Sequence, residues 1–282
     1  MVRNSVAIET GYDPSKASLK FYWGSQAGRP ASFAPEIGDA WLWPTDGVRI
    51  GKKLLLFFTR VRTDTRKDSL GFENFGWTAF FVDNPDQEPS AWVMRRIATP
   101  ANPWNVIVGA AALAAGSNLY VFSPAEPSHD VYLLRWPLTA AANGDLRSPE
   151  WWSGSDQGWI PQKELARRPV PVFTEGSMEF SVQWDPQRKK FLEVQSVGFG
   201  ASEIAVRWAQ RLEGPWSEPR QVFRPPESDR PDAFVYAAKA HPELTGAELV
   251  ITYAANCRDF GILVRDLSIY YPRFVRLWLS PR

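Results

Sequence analysis

The sequence has little cysteine and little histidine, which argues against disulfide bonds and against a zinc site. Its 282 residues include one cysteine, Cys257, and two histidines, so no internal disulfide can form. A zinc site usually needs several cysteine or histidine ligands, and too few are present. We therefore expect no cofactor and no metal-ligating residues. The composition is still compatible with a calcium ion held by carboxylate and carbonyl oxygens, because such a site needs neither cysteine nor histidine.

Neither sign of charge is in excess, and long apolar segments are absent. Lys and Arg total 32, and Asp and Glu total 31. Without a broad basic field, we expect no nucleic-acid partner. The longest nearly apolar run, Val106 to Gly116, is too short to span a bilayer.

The N-terminal residues, Met1 to Pro14, lack a basic segment followed by a long apolar stretch. As written they do not form a signal peptide. The sequence therefore leaves the localisation open between a cytoplasmic protein and a chain whose true beginning is missing.

Aromatic residues, proline and glycine are abundant instead. The chain has 14 Trp, 17 Phe and 8 Tyr, together with 24 Pro and 19 Gly. Aromatic residues favour strands, and Pro and Gly punctuate them. The small residues Ala110 to Ala115 have helical propensity, but Gly109 and Gly116 bracket them, so we predict a strand there.

Four hairpins recur along the chain in the same order. Their second strands begin near Leu54, Leu119, Phe191 and Leu249, at spacings of 65, 72 and 58 residues. A third strand follows each hairpin, and a weaker fourth follows several. Repetition at this scale is the signature of a β-propeller, although a β-sandwich or jelly roll also supplies many short strands. Four copies of one hairpin order favour the propeller.

Two segments before the first hairpin, Asn4 to Glu9 and Leu19 to Trp23, are typical of the third and fourth strands of a fifth module. The repeat period places the hairpin of that module before Met1. We therefore predict one all-β domain, a five-bladed β-propeller whose first blade is incomplete at the N-terminus. Its predicted parts are a partial blade in residues 1–40 and blades at about 41–104, 105–170, 171–230 and 231–282.

Several segments together resemble a known family. They are Trp43–Gly47, Met178–Asp185, Ile204–Trp216, Tyr236 with Ala240–Leu244, Val250–Asn256 and Tyr271–Leu277. In this order they are similar to the bacterial propeller family filed as domain of unknown function 4185, which includes endo-D-arabinanases of the mycobacterial cell wall. The resemblance implies a five-bladed propeller whose innermost strands line a funnel holding a glycan site. If the N-terminus is truncated, it also implies a secreted or envelope protein. Such chains usually begin with an inner hairpin carrying a Gly-Asp motif, and this chain starts after it.

Asp46 and Glu179 are the candidate catalytic residues. Glycosidases usually need two carboxyl groups that flank the scissile bond. Asp46 opens one predicted inner strand, although Asp-Gly is also an ordinary turn signal. Glu179 stands in another predicted inner strand, on the face opposite Phe180, Val182 and Trp184. A solvated polar face is the alternative for Glu179.

Six further residues are candidate contacts to a sugar. Trp43 offers an aromatic ring beside Asp46, and Arg207 could orient a carboxylate, unless it forms a structural ion pair. Polar side chains near the predicted inner strands could bind hydroxyl groups: Asp39, Tyr236, His241 and Asn256. For Asp39 the alternative is a loop cap. His241 stands in a turn, where a purely structural role is the alternative.

These residues lead to two functional hypotheses. The first is a glycoside hydrolase that acts on a furanosidic cell-wall polysaccharide by paired-carboxylate chemistry, with D-arabinan suggested by the resemblance. The second is a non-catalytic glycan-binding propeller, or a truncated inactive relative. Both hypotheses predict a polysaccharide or oligosaccharide as the partner.

Overall fold

The computed structural model describes residues 2–66, 71–198, 202–244, 248–257 and 259–279. Its chain divides into two compact units. Unit 1 comprises Met1–Thr10, Ser18–Pro127 and Tyr132–Pro171, and unit 2 comprises Gly11–Ala17, Ser128–Val131 and Val172–Arg282. Each unit is described by itself below.

Unit 1 contains two small hairpins and two larger antiparallel sheets. The hairpins are β1 (Val6–Thr10) with β2 (Ser18–Tyr22), and β3 (Gly24–Gln26) with β4 (Arg29–Ala31). The first large sheet consists of β5 (Trp41–Ile50), β6 (Lys53–Thr63), β7 (Phe72–Val82) and β8 (Met94–Ile97). The second consists of β9 (Ala111–Ala115), β10 (Asn118–Pro124), β11 (Val131–Pro137), β12 (Glu150–Trp152) and β13 (Trp159–Pro161), with the short helix α1 (Leu138–Ala142) after β11.

Unit 2 contains two more antiparallel sheets. The first consists of β14 (Phe180–Asp185), β15 (Lys190–Val197), β16 (Glu203–Ala209) and β17 (Arg220–Phe223). The second consists of β18 (Ala233–Ala240), β19 (Leu249–Cys257) and β20 (Arg273–Leu277), with helix α2 (Phe260–Arg265) between its last two strands. In all four large sheets the spatial order of the strands follows the chain, as in propeller blades.

Large apolar side chains from neighbouring strands form a separate core in each unit. In unit 1, Phe57, Phe81, Leu119 and Trp136 are almost completely buried in one cluster. In unit 2, Val194, Val206, Val235 and Ile251 form the centre of another. Burying each such side chain contributes about 1.5–3 kcal/mol, so these clusters hold the strands in register.

The predicted strand of small residues at Ala110 to Ala115 is confirmed as β9, but its neighbours differ from the expectation. Residues Ile107 to Ala110 precede the strand rather than belonging to it. Gly109 has a φ of +93°, and a Cβ atom there would lie 2.5 Å from the Cβ of Phe57. The chain needs glycine here, and strand pairing begins after it.

The start of β14 and the helices also differ from the prediction. Pairing in β14 begins at Phe180, so Glu179 lies in the bend before the strand rather than within it. The sequence did not predict α1 and α2, which are short connections of five and six residues. The two N-terminal segments form strands, but they pair with each other as a two-stranded sheet. The count of five blades and the single domain stay predictions.

No helix within the described ranges is long and apolar enough to cross a membrane.

Candidate functional site

In unit 1, Asp46 lies at an irregularity in β5. Pro44 pairs with Phe58 and Asp46 with Phe57, so Thr45 is an extra residue in the strand. The Asp46 Oδ2 atom accepts a hydrogen bond from the backbone N–H of Ala112 at 2.7 Å, and Oδ1 accepts from its neighbour Gly47 at 2.9 Å. The half-buried carboxylate is therefore held by two backbone donors.

The other two candidates in unit 1 lie near Asp46 in sequence and differ in burial. Trp43 is half-buried on β5, and its ring packs edge-on against Phe72 with centroids 4.6 Å apart. Asp39 is exposed in a tight turn closed by Ile37 and Ala40. Trp43 therefore packs against a neighbouring ring, its contact to a sugar stays a prediction, and Asp39 is open to solvent.

In unit 2, a β-bulge determines which side chains of β18 face outward. Tyr236 pairs with Ala254 and Lys239 pairs with Thr252, so two residues on β18 oppose one residue on β19. Ala237, within the bulge, has a left-handed φ of +55°. Bulges of this kind redirect side chains and occur beside functional sites.

The face shared by these residues carries several of the predicted contacts. Along β19 the half-buried residues alternate with buried ones, and Thr252 and Asn256 belong to the half-buried set. By register, Tyr236 and Lys239 lie on the same face. A hydrogen bond joins Tyr236 to Asn256, and burial raises the pKa of Tyr236 to about 12, with the negative charge of Glu179 contributing.

Glu179 approaches this face from the segment before β14. Burial raises the pKa of its carboxyl group, and the positive charge of Lys239 acts in the opposite direction. A carboxyl group that keeps its proton more readily than in water is suited to donate it to a leaving group. The structure thus brings together Glu179, Tyr236 and Asn256 of the predicted set, with Lys239 added.

His241 lies at the end of β18, beside the same face. Its Nε2 atom is 2.6 Å from the hydroxyl oxygen of Thr252. Burial lowers the pKa of His241, the charge of Glu243 opposes that change, and the charge of Lys239 reinforces it. His241 is thus suited to a hydrogen bond as a neutral imidazole.

Arg207 does not lie on that face. Arg207 is 3% exposed on β16, and its guanidinium donates to the backbone carbonyls of Thr174 and Glu175 at 2.8 and 3.3 Å. It also lies 5.0 Å from the ring of Phe173. This position does not support the predicted contact between Arg207 and substrate, because β16 directs the side chain toward the loop that contains Thr174 and Glu175.

Gln195 holds the same loop from below. Its amide donates to the Glu175 carbonyl at 3.0 Å and accepts from the Ser177 N–H at 2.7 Å. Gln195 is completely buried, and Glu175 has a left-handed φ of +58°. The loop that leads to Glu179 is therefore fixed by two buried side chains, Arg207 and Gln195.

The sequence analysis did not single out Lys239 or Gln195. Lys239 is the one charged residue of β18, in Ala-Phe-Val-Tyr-Ala-Ala-Lys-Ala, and such isolation is the signal that could have identified it. Gln195 lies in the buried middle of β15 together with Glu193 and Ser196, and buried polar side chains of this kind usually have a hydrogen-bond partner.

Among the described residues, no group of three or more His, Cys, Asp or Glu side chains is arranged so that it could hold a metal ion.

The successive meander sheets place this chain among all-β propellers, and solved structures agree. A Bacteroides ovatus protein described as a "putative hydrolase" has a TM-score of 0.67 at 16% identity, over 86% of this chain and 62% of that one. An exo-1,5-α-L-arabinanase from a bovine ruminal metagenomic library has a TM-score of 0.50 at 11% identity, over 96% and 87%. The RS223 β-xylosidase has a TM-score of 0.50 at 11% identity, over 78% and 75%. At these identities the likeness concerns the fold.

Within that class, the chain belongs to the family described as Domain of unknown function (DUF5005), whose model matches residues 1–278. Membership of the family numbered 4185 stays a prediction. No curated protein matches the sequence. The chain spans 62% of the length of the Bacteroides ovatus structure.

Proposed function

We propose that the protein is a glycoside hydrolase with Glu179 as its general acid. The observation that carries the proposal is the environment of Glu179. Glu179 is half-buried, burial raises the pKa of its carboxyl group, and it interacts with Lys239 and with Tyr236, which is hydrogen-bonded to Asn256. Perturbed carboxyl groups next to convergent polar groups are typical of catalytic sites.

Asp46 is the proposed second carboxyl group, acting as base or nucleophile. Its two backbone donors fix the orientation of a carboxylate oxygen. Hydrolysis of a glycosidic bond needs one carboxyl group that donates a proton and one carboxylate that activates water or attacks directly. Asp46 and Glu179 lie in different units, and each role is tested by its own variant.

The proposed substrate is a furanosidic polysaccharide, with arabinan as the first choice. Support comes from the sequence resemblance to a family with endo-D-arabinanases and from the fold likeness to an arabinanase. Tyr236, Asn256 and His241 are the proposed contacts to sugar hydroxyls, and Trp43 is a proposed stacking surface.

The test is incubation of the protein with D-arabinan, 1,5-α-L-arabinan, arabinoxylan and a hexopyranose polymer, followed by detection of new reducing ends. Glu179→Gln should abolish cleavage of the preferred glycan. Glu175→Gln is the matched control, because the Glu175 side chain is exposed in the same loop. Equal cleavage by wild type and Glu179→Gln, or no cleavage of any glycan, would contradict the proposal.

Non-catalytic glycan binding is the second candidate, and one observation favours it. The two oxygens of Asp46 already accept backbone hydrogen bonds, which gives this residue a purely structural explanation. A binding protein would migrate more slowly in gels that contain arabinan, and it would release no reducing ends from the glycan. Retardation that survives Asp46→Asn and Glu179→Gln would support this candidate.

A further inference from the structure

We propose that Lys239 is a positioning residue for Glu179, presented to that carboxyl group by the bulge in β18 and by two serine hydroxyls. This inference rests on the proposed function of Glu179 and extends it to a residue with no assigned role.

The bulge is needed for Lys239 to reach this face. In an uninterrupted strand, residues two apart share a face, so Tyr236 would share its face with Ala238 and Ala240. In β18, Ala238 and Ala240 are buried, whereas Tyr236 and Lys239 are half-buried. The extra residue reverses the alternation after Ala237, and without it Lys239 would point into the apolar core.

Two serine hydroxyls fix β18 on either side of Lys239. The Ser196 Oγ atom accepts from the Ala238 N–H at 3.1 Å, and the Ser181 Oγ atom accepts from the Ala240 N–H at 2.8 Å. Ser181 belongs to β14, two residues after Glu179. These contacts hold the backbone of Lys239 against the strand pair from which Glu179 projects.

The register of β14 and β15 places Glu179 near the same point. Phe180 pairs with Gln195, so Glu179 stands level with Ser196, the residue that anchors Ala238. Glu179 and Lys239 are thus brought together from two sheets by backbone geometry. Their opposite charges interact across this junction.

The charged and titratable groups linked to Glu179, directly or through a neighbour, belong to three segments besides its own. On β18, Lys239 and Tyr236 interact electrostatically with Glu179. In the turn after β18, His241 interacts with Lys239 and with Glu243. Tyr270, in the turn before β20, lies near Tyr236. Among these groups, Lys239 is the one whose positive charge acts on Glu179.

The positive charge of Lys239 matters because a general acid must release its proton near the working pH. Burial favours the protonated form of Glu179. A neighbouring cation favours the ionised form and brings proton release closer to working pH. Lys239 would therefore adjust the acidity of Glu179 without touching the scissile bond.

The direct test is a pH titration of the Glu179 carboxyl carbon by ¹³C NMR, with Glu179→Gln used to assign the signal. Lys239→Met should move the midpoint to higher pH, and Lys239→Arg should restore it. Lys190→Met is the control, because it removes one positive charge at the opposite end of the same strand pair. A folded Lys239→Met variant with an unmoved midpoint would overturn the proposal. If that variant does not fold, Lys239→Gln is titrated instead with the same criteria.

The pH dependence of kcat/KM distinguishes this inference from the proposed function. If the wild type cleaves a glycan, the alkaline limb of its kcat/KM profile should move to higher pH in Lys239→Met and stay in place in Lys239→Arg. Lower activity with an unmoved limb would indicate a merely structural lysine and would overturn the inference. If the wild type cleaves nothing, the proposed function fails, and the NMR titration still decides whether Lys239 controls the ionisation of Glu179.

Discussion

Glu193 faces Arg207 directly across strands β15 and β16, with the carboxylate Oε2 atom 3.9 Å from Nε. Glu193 is completely buried, and neither of its carboxyl oxygens has a hydrogen-bond donor among the described residues. Burial raises the pKa of Glu193 to about 8, although the charge of Arg207 opposes the change. The raised pKa favours the protonated form of Glu193, and the Nη2 atom of Arg207 donates instead to the carbonyls of Thr174 and Glu175 in the loop before Glu179.

The first prediction concerns stability and pH. The folded protein holds the Glu193 proton up to about pH 8, whereas an unfolded chain releases it near the ordinary value of 4.5. The free energy of unfolding should then fall as pH rises between these values, by up to about 1.4 kcal/mol per pH unit from this group, and level off above pH 8. Glu193→Gln should flatten this slope in urea titrations and make the protein more stable at pH 7.5.

Glu218→Gln serves as the control, because Glu218 is exposed in the same unit. Its slope should equal that of the wild type. A Glu193→Gln slope no flatter than this control would show that Glu193 is ionised in the folded protein at neutral pH.

Much of the fold follows from local signals. The hairpin of β5 and β6 was predicted because strand-forming residues flank the turn at Gly51, which has a φ of +60°. Turn chemistry and alternation are properties of neighbouring residues, so sequence alone reveals them. The same holds for β9, where glycines bracket the alanines.

The candidate site was less predictable, because it depends on register. Glu179 was chosen as a candidate from the strand pattern, but the start of β14 was placed two residues too early. Lys239 was missed because the bulge reverses alternation at an alanine, and alanine rarely adopts a left-handed φ. Arg207 was predicted either to orient a carboxylate at the site or to form a structural ion pair. It faces Glu193 and donates to backbone carbonyls of a distant loop, which no local pattern indicates.

The second prediction tests the support beneath Glu179. Gln195→Met keeps the approximate volume but removes both amide contacts to the loop, and leaves the Ser177 N–H without its acceptor. An unsatisfied buried donor costs about 1–3 kcal/mol of stability. We expect that loss in urea titrations and faster hydrogen exchange at Ser177. The exposed Gln187→Met is the control, and unchanged exchange at Ser177 in Gln195→Met would contradict the loop contacts.

The third prediction concerns Asp46. Asp46→Asn preserves one oxygen acceptor but removes the negative charge and replaces the other oxygen with a donor. If Asp46 is the base or nucleophile, glycan cleavage should fall at least a hundredfold. Loss of one backbone hydrogen bond should lower the free energy of unfolding by only about 1 kcal/mol. The exposed Asp156→Asn should change neither quantity, and near-wild-type turnover in Asp46→Asn would leave Asp46 with a structural role alone.

The fourth prediction concerns the bulge in β18. A left-handed φ costs a residue with a Cβ atom roughly 1–2 kcal/mol, and glycine avoids most of that cost. Ala237→Gly should therefore leave the protein equally stable or more stable, even though glycine within a strand normally costs about 0.5–1 kcal/mol. Ala254→Gly is the matched control, because Ala254 is half-buried in the facing strand and is paired with Tyr236 just before the bulge. In urea titrations, Ala254→Gly should lower the free energy of unfolding by about 0.5–1 kcal/mol, the usual cost of glycine within a strand. If both variants lose the same stability, Ala237 has an ordinary φ, β18 is regular, and Lys239 does not reach the face of Glu179 by the route proposed.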